Sequence, residues 1–588
     1  MIYLRRLIPY LKKYRKTLLI GLLVITCSAV FTNLIPFVIS KAIDQIRDHT
    51  DGMALYKYAL LTVGFAAISG VFLYLTRQTI IIVSREIEND LRNDFLERIV
   101  IQDQQYFHFH PTGETMALAT NDISAVRNFL GPGIMYTAET LVNFTLAISL
   151  MFSFNAELTL IAVVPIPLIS YVVYRIGKSI NHKFEMVQEQ FSDLTTKTQE
   201  NLSGIKVVKA YVREESETES FKTMSVSYMK KNLELAKVQS FSYPLMFLLT
   251  GFSVIIVLYV GGNKIIEGVM TLGQLTGFII YLGLLTWPII SLGWIINLTQ
   301  RAEASMKRLC EVFDSQPAID DPKACQTESA AKTQQAATIK GKIEFRNVSF
   351  RYHTDFPYVL KNVNMTINPG ETIGIIGHTG SGKSTLVNLI SRLFDVEEGQ
   401  VMVDGRNVKE YKLNELRTSI GYVPQETFLF SDTIEHNIGY AETKFDKETV
   451  IKAAKISQIY KDVDAFPKRF DTILGERGIN LSGGQKQRTS IARAIVSDPG
   501  ILILDDAFSA VDTYTEEEIL NGLKEVLKGR TTILISHRVS TLKNSDRIIV
   551  LKDGTIAEEG THDSLIRNEG IYADIYMKQL LEEELKDL

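Results

Sequence analysis

The sequence predicts two bodies in one chain: an α-helical membrane domain, followed by an α/β domain built on a parallel sheet. Three observations carry that prediction. Long apolar runs are confined to the first half, β-rich runs alternate with helical patterns in the second, and a polar segment separates the two.

Composition sets the outer bounds. At 588 residues, 46% hydrophobic and 22% charged, the chain is too long for one core and more apolar than a large soluble enzyme needs to be. A net charge of −4 offers no general attraction for nucleic acid, so no nucleic-acid partner is expected. The 3 cysteines, Cys27, Cys310 and Cys325, have neither metal-ligand nor disulfide spacing.

A helix needs about 20 apolar residues to cross a bilayer. Six segments qualify, at 17–43, 58–84, 131–154, 157–177, 240–262 and 271–298. The first is too long for a signal peptide and shows no small-residue cleavage site, so it reads as a retained span. Arg5, Arg6, Lys12, Lys13, Arg15 and Lys16 precede it, whereas the loop SFNAEL between the third and fourth spans has no Lys or Arg. The positive-inside rule therefore puts the N-terminus in the cytoplasm of a multi-pass cell-membrane protein.

The excursions after the second and fourth spans then lie inside the cell. Both are long and charged, and their helices are expected to run well past the lipid. Pro36, Pro165, Pro167 and Pro288 fall within spans, where neighbouring helices can satisfy the freed carbonyls. Arg77 and Glu139 interrupt apolar segments, either as pathway or pairing residues or at a water boundary.

After the sixth span, TQRAEASMKRLCEVFD continues helically and then dissolves into DDPKACQTESAAKTQQAATIKGK, a mixture that buries little surface. The expected division is a membrane domain at 1–315, a linker at 316–340 and an α/β domain at 341–588. Candidate parallel strands in the last part are ETIGIIG, ILILD and TTILISH.

GHTGSGKST joins one of these strands to a helical pattern. Its residues Gly377, His378, Thr379, Gly380, Ser381, Gly382, Lys383, Ser384 and Thr385 fit G-x-x-x-x-G-K-[ST]. Glycines let backbone N–H groups close around phosphates, Lys383 offers charge to the β and γ phosphates, and Ser384 can ligate Mg²⁺, so ATP with Mg²⁺ is expected here. Asp505, at the end of ILILD, is placed to hold Mg²⁺ through water beside that loop. Alone, it would read as an exposed acid at a strand end.

LSGGQKQR, lying between the phosphate loop and the acid strand, resembles the signature of ABC transporters. The resemblance implies a nucleotide-binding role for Leu481, Ser482, Gly483, Gly484 and Gln485, and it extends to other motifs in the same order. Tyr352 in SFRY resembles the adenine-stacking aromatic, Gln425 in GYVPQ the glutamine that reaches metal and water, and His537 in ISHR the switch histidine. Asp512 in SAVD resembles the D-loop aspartate, and TILGERG an exporter-specific segment. Six spans ahead of one nucleotide domain resemble an ABC exporter half-transporter. The excursions holding HPTGETMALATNDISAV and NLSGIKVVKAY then resemble those that carry short coupling helices.

In this family two nucleotide domains close head to tail over two ATP molecules, so a second half-transporter is implied. A glutamate normally follows the metal-binding aspartate and activates water, and this chain has Asp506 there. The resemblance thus points to the degenerate-site half of a heterodimeric bacterial exporter of amphipathic compounds or drugs, working in the lipid bilayer. The alternatives are a homodimeric lipid flippase or an ATP-gated regulatory or channel subunit. Asp506 serving as base through a shifted backbone or an extra water is the simpler rival to a slow site.

Overall fold

The computed structural model describes residues 2–47, 52–321, 339–442 and 444–586. They form two compact units: Met1–Val100 with Thr112–Ser315, and Ile101–Pro111 with Gln316–Leu588. Most of the expected linker, 322–338, and with it Cys325, lies outside the described residues.

The first unit is helical throughout. Arg15–Arg47, Gly52–Thr76, Ile134–Phe154, Ala156–Val163, Pro165–Ser203, Glu214–Ile266 and Leu272–Asp314 are its main apolar helices. Glu214–Ile266, at 53 residues, is about 80 Å long at 1.5 Å per residue, against a hydrocarbon core of about 30 Å. That is long enough for the expected reach beyond the lipid.

By length and apolar composition, four helical stretches among the described residues could cross a membrane: Arg15–Arg47, Leu55–Val100, Thr112–Phe154 and Leu272–Asp314. Of the other two expected spans, 157–177 is divided between the short helix Ala156–Val163 and the apolar start of Pro165–Ser203, and 240–262 occupies the apolar end of Glu214–Ile266; the remaining lengths of the two long helices are charged. Pro165 does more than fit within a span: it opens a new helix at the first position, where its missing N–H costs nothing. Pro36 and Pro288 sit inside continuous helices.

Polar pairs tie the apolar helices together. Asn33 donates to Asn143 Oδ1 at 2.8 Å, Tyr281 Oη donates to the Asn33 carbonyl at 2.7 Å, and Thr140 meets Ser291 at 3.0 Å. Such bonds hold helices together where lipid offers no hydrophobic driving force. At Gly273 any side chain would be excluded, because a Cβ would lie 1.9 Å from the Ser40 carbonyl oxygen. Asp44 there accepts from Gly273 N–H and from Thr271 Oγ1, both at 2.8 Å, which helps cap Leu272–Asp314. Arg77 opens a wider π-helical turn, Arg77–Ile81, and lies within electrostatic range of Glu139.

The second unit contains ten strands among the described residues: β1 (Ile343–Phe350), β2 (Leu360–Ile367), β3 (Thr372–Gly377), β4 (Glu398–Val403), β5 (Arg406–Asn407), β6 (Ile420–Val423), β7 (Ile501–Asp505), β8 (Thr531–Ile535), β9 (Arg547–Lys552) and β10 (Thr555–Gly560). They make a four-stranded antiparallel sheet, β2-β1-β4-β5, and a six-stranded sheet, β10-β9-β3-β8-β7-β6. In the larger sheet β9, β3, β8, β7 and β6 are mutually parallel, as the β-branched runs of β3, β7 and β8 lead one to expect.

Every residue of β7 and β8 is buried, because helices cover both faces. On one side Leu502, Leu504 and Leu534 pack with Ile491 and Ile519; on the other, Ile501, Ile503 and Ile533 pack with Leu386 and Ile390.

Two short helices mark the tips of the excursions. Ile205–Ala210 lies within the NLSGIKVVKAY segment, and Gln104–Phe109 lies just ahead of HPTGETMALATNDISAV. The latter belongs to the second unit. Asp103 accepts from Ala318 N–H at 2.6 Å, and the Phe109 ring meets His353 edge to face at 5.4 Å.

Candidate nucleotide site

The sheet explains how distant motifs converge. The phosphate loop follows β3, His537 follows β8, Asp505 ends β7, and Gln425 lies two residues beyond β6. All four strands run parallel, so these residues gather at one carboxyl edge, where open α/β sheets bind ligands. β8 lies between the other two acid- and phosphate-bearing strands, and Asp505 is in register with Ile535.

The phosphate loop is a tight cradle. Gly380 and Gly382 have φ of 82° and 98°, in the left-handed region that side chains avoid. A Cβ on Gly382 would lie 2.8 Å from Leu360 Cδ2 and 3.1 Å from the Val359 carbonyl oxygen, so glycine is required for space as well as for conformation. Lys383 opens the helix Lys383–Ile390 and donates to the Gly377 and His378 carbonyls, both at 3.0 Å. Burial lowers its pKa, and the nearby Asp505 and Asp506 carboxylates oppose that shift.

The site's donors fit a magnesium nucleotide. Ser381 Oγ is buried and has no hydrogen-bond partner among the described residues, and a phosphate oxygen would satisfy it. The Ser384 hydroxyl stands close enough to the Asp505 carboxylate to lower its pKa, so two hard oxygen ligands lie side by side. No cluster of three or more His, Cys, Asp or Glu side chains suited to a metal occurs among the described residues. Mg²⁺ needs none, since it takes one or two protein oxygens and completes its shell with phosphates and water.

Asp505 is only 2% exposed. Burial raises its pKa, Asp506 adds to the rise, and the Ser384 hydroxyl, Lys383 and His537 pull the other way. These influences place Lys383, Asp506 and His537 around one carboxylate. Asp506 itself adopts φ of 48°, a left-handed conformation in which aspartate is several-fold enriched among non-glycine residues. Its N–H donates to the Ile535 carbonyl at 2.9 Å, and its carbonyl accepts from Ser509 N–H at 3.3 Å and Gln487 Nε2 at 3.4 Å.

Tyr352 stands beside the loop, with its hydroxyl 2.8 Å from Thr385 Oγ1 and its ring edge-on to Phe350 and Phe394. Gln425 is exposed in an irregular segment. His378 and Thr379 are exposed at the tip of the loop, while Gly377 is buried beneath it.

The signature residues build a helix start. Ser482 caps Gly483–Ile495 in a capping box: its hydroxyl accepts from Gln485 N–H at 3.3 Å, and Gln485 Oε1 accepts from Ser482 N–H at 3.0 Å. Gln485 Nε2 donates onward to Asp462 at 2.9 Å. Leu481 is buried beneath, and Gly484 packs so closely that a Cβ would lie 2.9 Å from the Ala510 carbonyl oxygen. Ser482 and Gly483 are exposed, leaving the positive end of a 13-residue helix open to an anion.

Asp512 caps the next helix, Thr513–Leu527, by accepting from Thr515 N–H at 2.9 Å, and that bond holds its carboxyl below the usual range. Gln487 joins the signature helix to this segment through Ser509 Oγ at 2.8 Å and Ala510 N–H at 2.9 Å. Sequence reasoning passed over Gln487, although its place two residues after the signature glutamine was a usable signal.

A family model described as the ABC transporter transmembrane region matches residues 18–289, and one described as ABC transporter matches 360–509. The multidrug resistance-like ATP-binding protein MdlA of Escherichia coli is 34% identical, covering 94% of this chain and 92% of its own. This chain belongs to the ABC transporters. The ATP-dependent lipid A-core flippase of Syntrophus aciditrophicus is also similar, at 32% identity over 99% of the chain and 95% of that protein. Among solved structures, a bacterial Atm1-family ABC exporter with ATP bound matches with a TM-score of 0.79 and 26% identity, covering 96% of this chain and 99% of that one. Membrane region and ATP-binding domain are thus fused in one chain, in the manner of an ATPase-coupled ABC exporter half.

Proposed function

We propose that this ABC transporter is one half of a heterodimeric exporter of amphipathic compounds, and that its own ATP site turns over slowly. The carrying observation is Asp506, which stands where the family resemblance calls for glutamate and whose backbone is held by three hydrogen bonds. Aspartate reaches about 1.5 Å less far than glutamate. Misplacement of a reacting group by about 1 Å can cost on the order of a hundredfold in rate.

The remaining residues support nucleotide binding. Tyr352 offers a ring for adenine, and the loop from Gly377 to Thr385 offers N–H groups and Lys383 for the phosphates. Ser384 and Asp505, with Gln425, would hold Mg²⁺, which supplies charge neutralisation at the phosphates when bound. His537 would face the terminal phosphate. The exposed start of the Ser482 helix would complete the matching site on a partner chain, with Asp512 at the seam, and that partner carries the glutamate. In this reading the protein lies in the cell membrane, with its N-terminus and nucleotide domain in the cytoplasm. The division into 1–315, 316–340 and 341–588 then separates pathway, linker and motor.

ATP binding would favour the closed pair and hydrolysis the open one, which is the differential affinity that a population shift requires. The test is co-purification from native membranes followed by phosphate release. An equimolar second half-transporter, with turnover that survives Asp506→Ala, supports the proposal. A lone chain that hydrolyses ATP briskly and is silenced by Asp506→Ala overturns it. The likeness to a lipid A-core flippase favours a second reading, a homodimeric lipid flippase, and that second result would support it.

A further inference from the structure

The C-terminal helix, Ile571–Lys586, carries none of the nucleotide motifs, yet one of its side chains reaches the segment that follows β8. Gln579 Nε2 donates to the His537 carbonyl at 2.5 Å, and Val539 N–H donates to Gln579 Oε1 at 2.9 Å. A single amide thus pairs with a carbonyl and an N–H two residues apart, as a neighbouring strand would. This restrains the backbone on both sides of Arg538 and leaves the His537 imidazole outside the two bonds.

The rest of the segment is equally well held. Ser536 Oγ accepts from Arg538 N–H at 2.9 Å, and the Arg538 guanidinium donates to the Val511 carbonyl at 3.1 Å and to Glu516 at 2.9 Å. The buried Glu516 also accepts from Thr541 Oγ1. The helix bearing Gln579 is anchored at its start, where Glu558 accepts from Ile571 N–H at 2.5 Å and Tyr572 N–H at 3.1 Å. The fully buried Tyr572 meets His562 Nδ1 through its hydroxyl at 2.7 Å. Gln579 is therefore a fixed contact. His537 in turn lies within electrostatic range of Asp505.

We propose that Gln579 is a positioning residue: its amide clamps the His537–Val539 backbone and so sets the His537 imidazole against the terminal phosphate of ATP. The C-terminal helix then governs how well the site tells ATP from ADP. This rests on the reading of the site as an ATP site with His537 at the γ-phosphate.

The experiment measures equilibrium binding of MgATP and MgADP to the full-length chain in four forms: wild type, Gln579→Ala, His537→Ala and the double variant. Losing the two clamp bonds is expected to lower the ATP-over-ADP preference about three- to tenfold, with ADP affinity unchanged. Because Gln579 acts through His537, the double variant should match His537→Ala alone. Hydrogen exchange at Val539 should accelerate in Gln579→Ala, while the melting temperature stays near that of wild type.

An unchanged ATP-over-ADP preference in Gln579→Ala, or additive losses in the double variant, would overturn the clamp while leaving the ATP site intact. A wild type that binds neither nucleotide would overturn the ATP-site reading and the clamp together. If Gln579→Ala unfolds, Gln579→Glu supplies the same readout: it keeps the acceptor for Val539 N–H, loses the donor to the His537 carbonyl, and should lower the preference too.

Discussion

Asp506→Glu is expected to raise ATP turnover at this chain's own site, measured in the pair with the partner's glutamate replaced by glutamine, about a hundredfold. The magnitude follows from how the residue is held. Ile535, Ser509 and Gln487 bond its N–H and carbonyl, so the backbone cannot move forward to make up for a short side chain. One extra methylene restores about 1.5 Å of reach. The full effect of a positioned base, about 10²–10⁴-fold, sets the ceiling.

The same substitution carries a stability cost. At φ of 48° glutamate lacks the local hydrogen bonds that ease aspartate into the left-handed region, and the penalty is about 1 kcal/mol. The melting temperature should fall by roughly 2–4 °C. The assay is phosphate release from that pair in nanodiscs, with thermal melting alongside. A slow site caused by the short aspartate is refuted if Asp506→Glu binds MgATP as wild type does and hydrolyses it no faster.

Other outcomes follow from the same geometry. Gly382→Ala should abolish MgATP binding and destabilise the chain by about 1–3 kcal/mol, since the new Cβ would strike Leu360 and the Val359 carbonyl at φ of 98°; nucleotide titration and a melt check both parts. Burial raises the Asp505 pKa, so in the nucleotide-free chain its contribution to stability is fully present below the ordinary carboxylate pKa and lost as pH rises through the raised value. Asp505→Asn should accordingly raise the melting temperature at neutral pH and flatten its pH dependence, while the Mg²⁺ dependence of nucleotide binding at this site is lost. Chelation by EDTA should stop phosphate release, and added Mg²⁺ should restore it, because the few protein oxygens of Ser384, Asp505 and Gln425 do not by themselves retain the ion without nucleotide phosphates.

Much of the site was legible because its parts are short and contiguous. Glycines at positive φ, a lysine at a helix start and an acid at a strand end need only a few neighbouring residues to express their chemistry. Ser482 and Gln485 form their capping box within four residues, a local S-x-x-Q signal that the family resemblance overshadowed. The buried strands β3, β7 and β8 announced themselves by unbroken apolar runs, since both faces are covered. Length and composition placed six apolar runs alike, but four helical stretches among the described residues are long and apolar enough to cross a membrane, since 157–177 is split between two helices and 240–262 shares one with a long charged portion.

By itself, the sequence determined that this chain has apolar helices followed by an ATP-binding α/β domain, and which residues form the phosphate loop, the acid strand and the signature. Those features are local or periodic, so adjacent residues suffice to specify them. Only the tertiary structure decided that β8 lies between β3 and β7, bringing His537, Asp505 and Lys383 to one edge. It alone placed Asp506 in a left-handed conformation, because its backbone bonds reach Ile535 and Gln487 on other elements. Gln579 is the clearest case: it stands 42 residues from His537, and a glutamine on a helix face carries no sign of a partner that far along the chain.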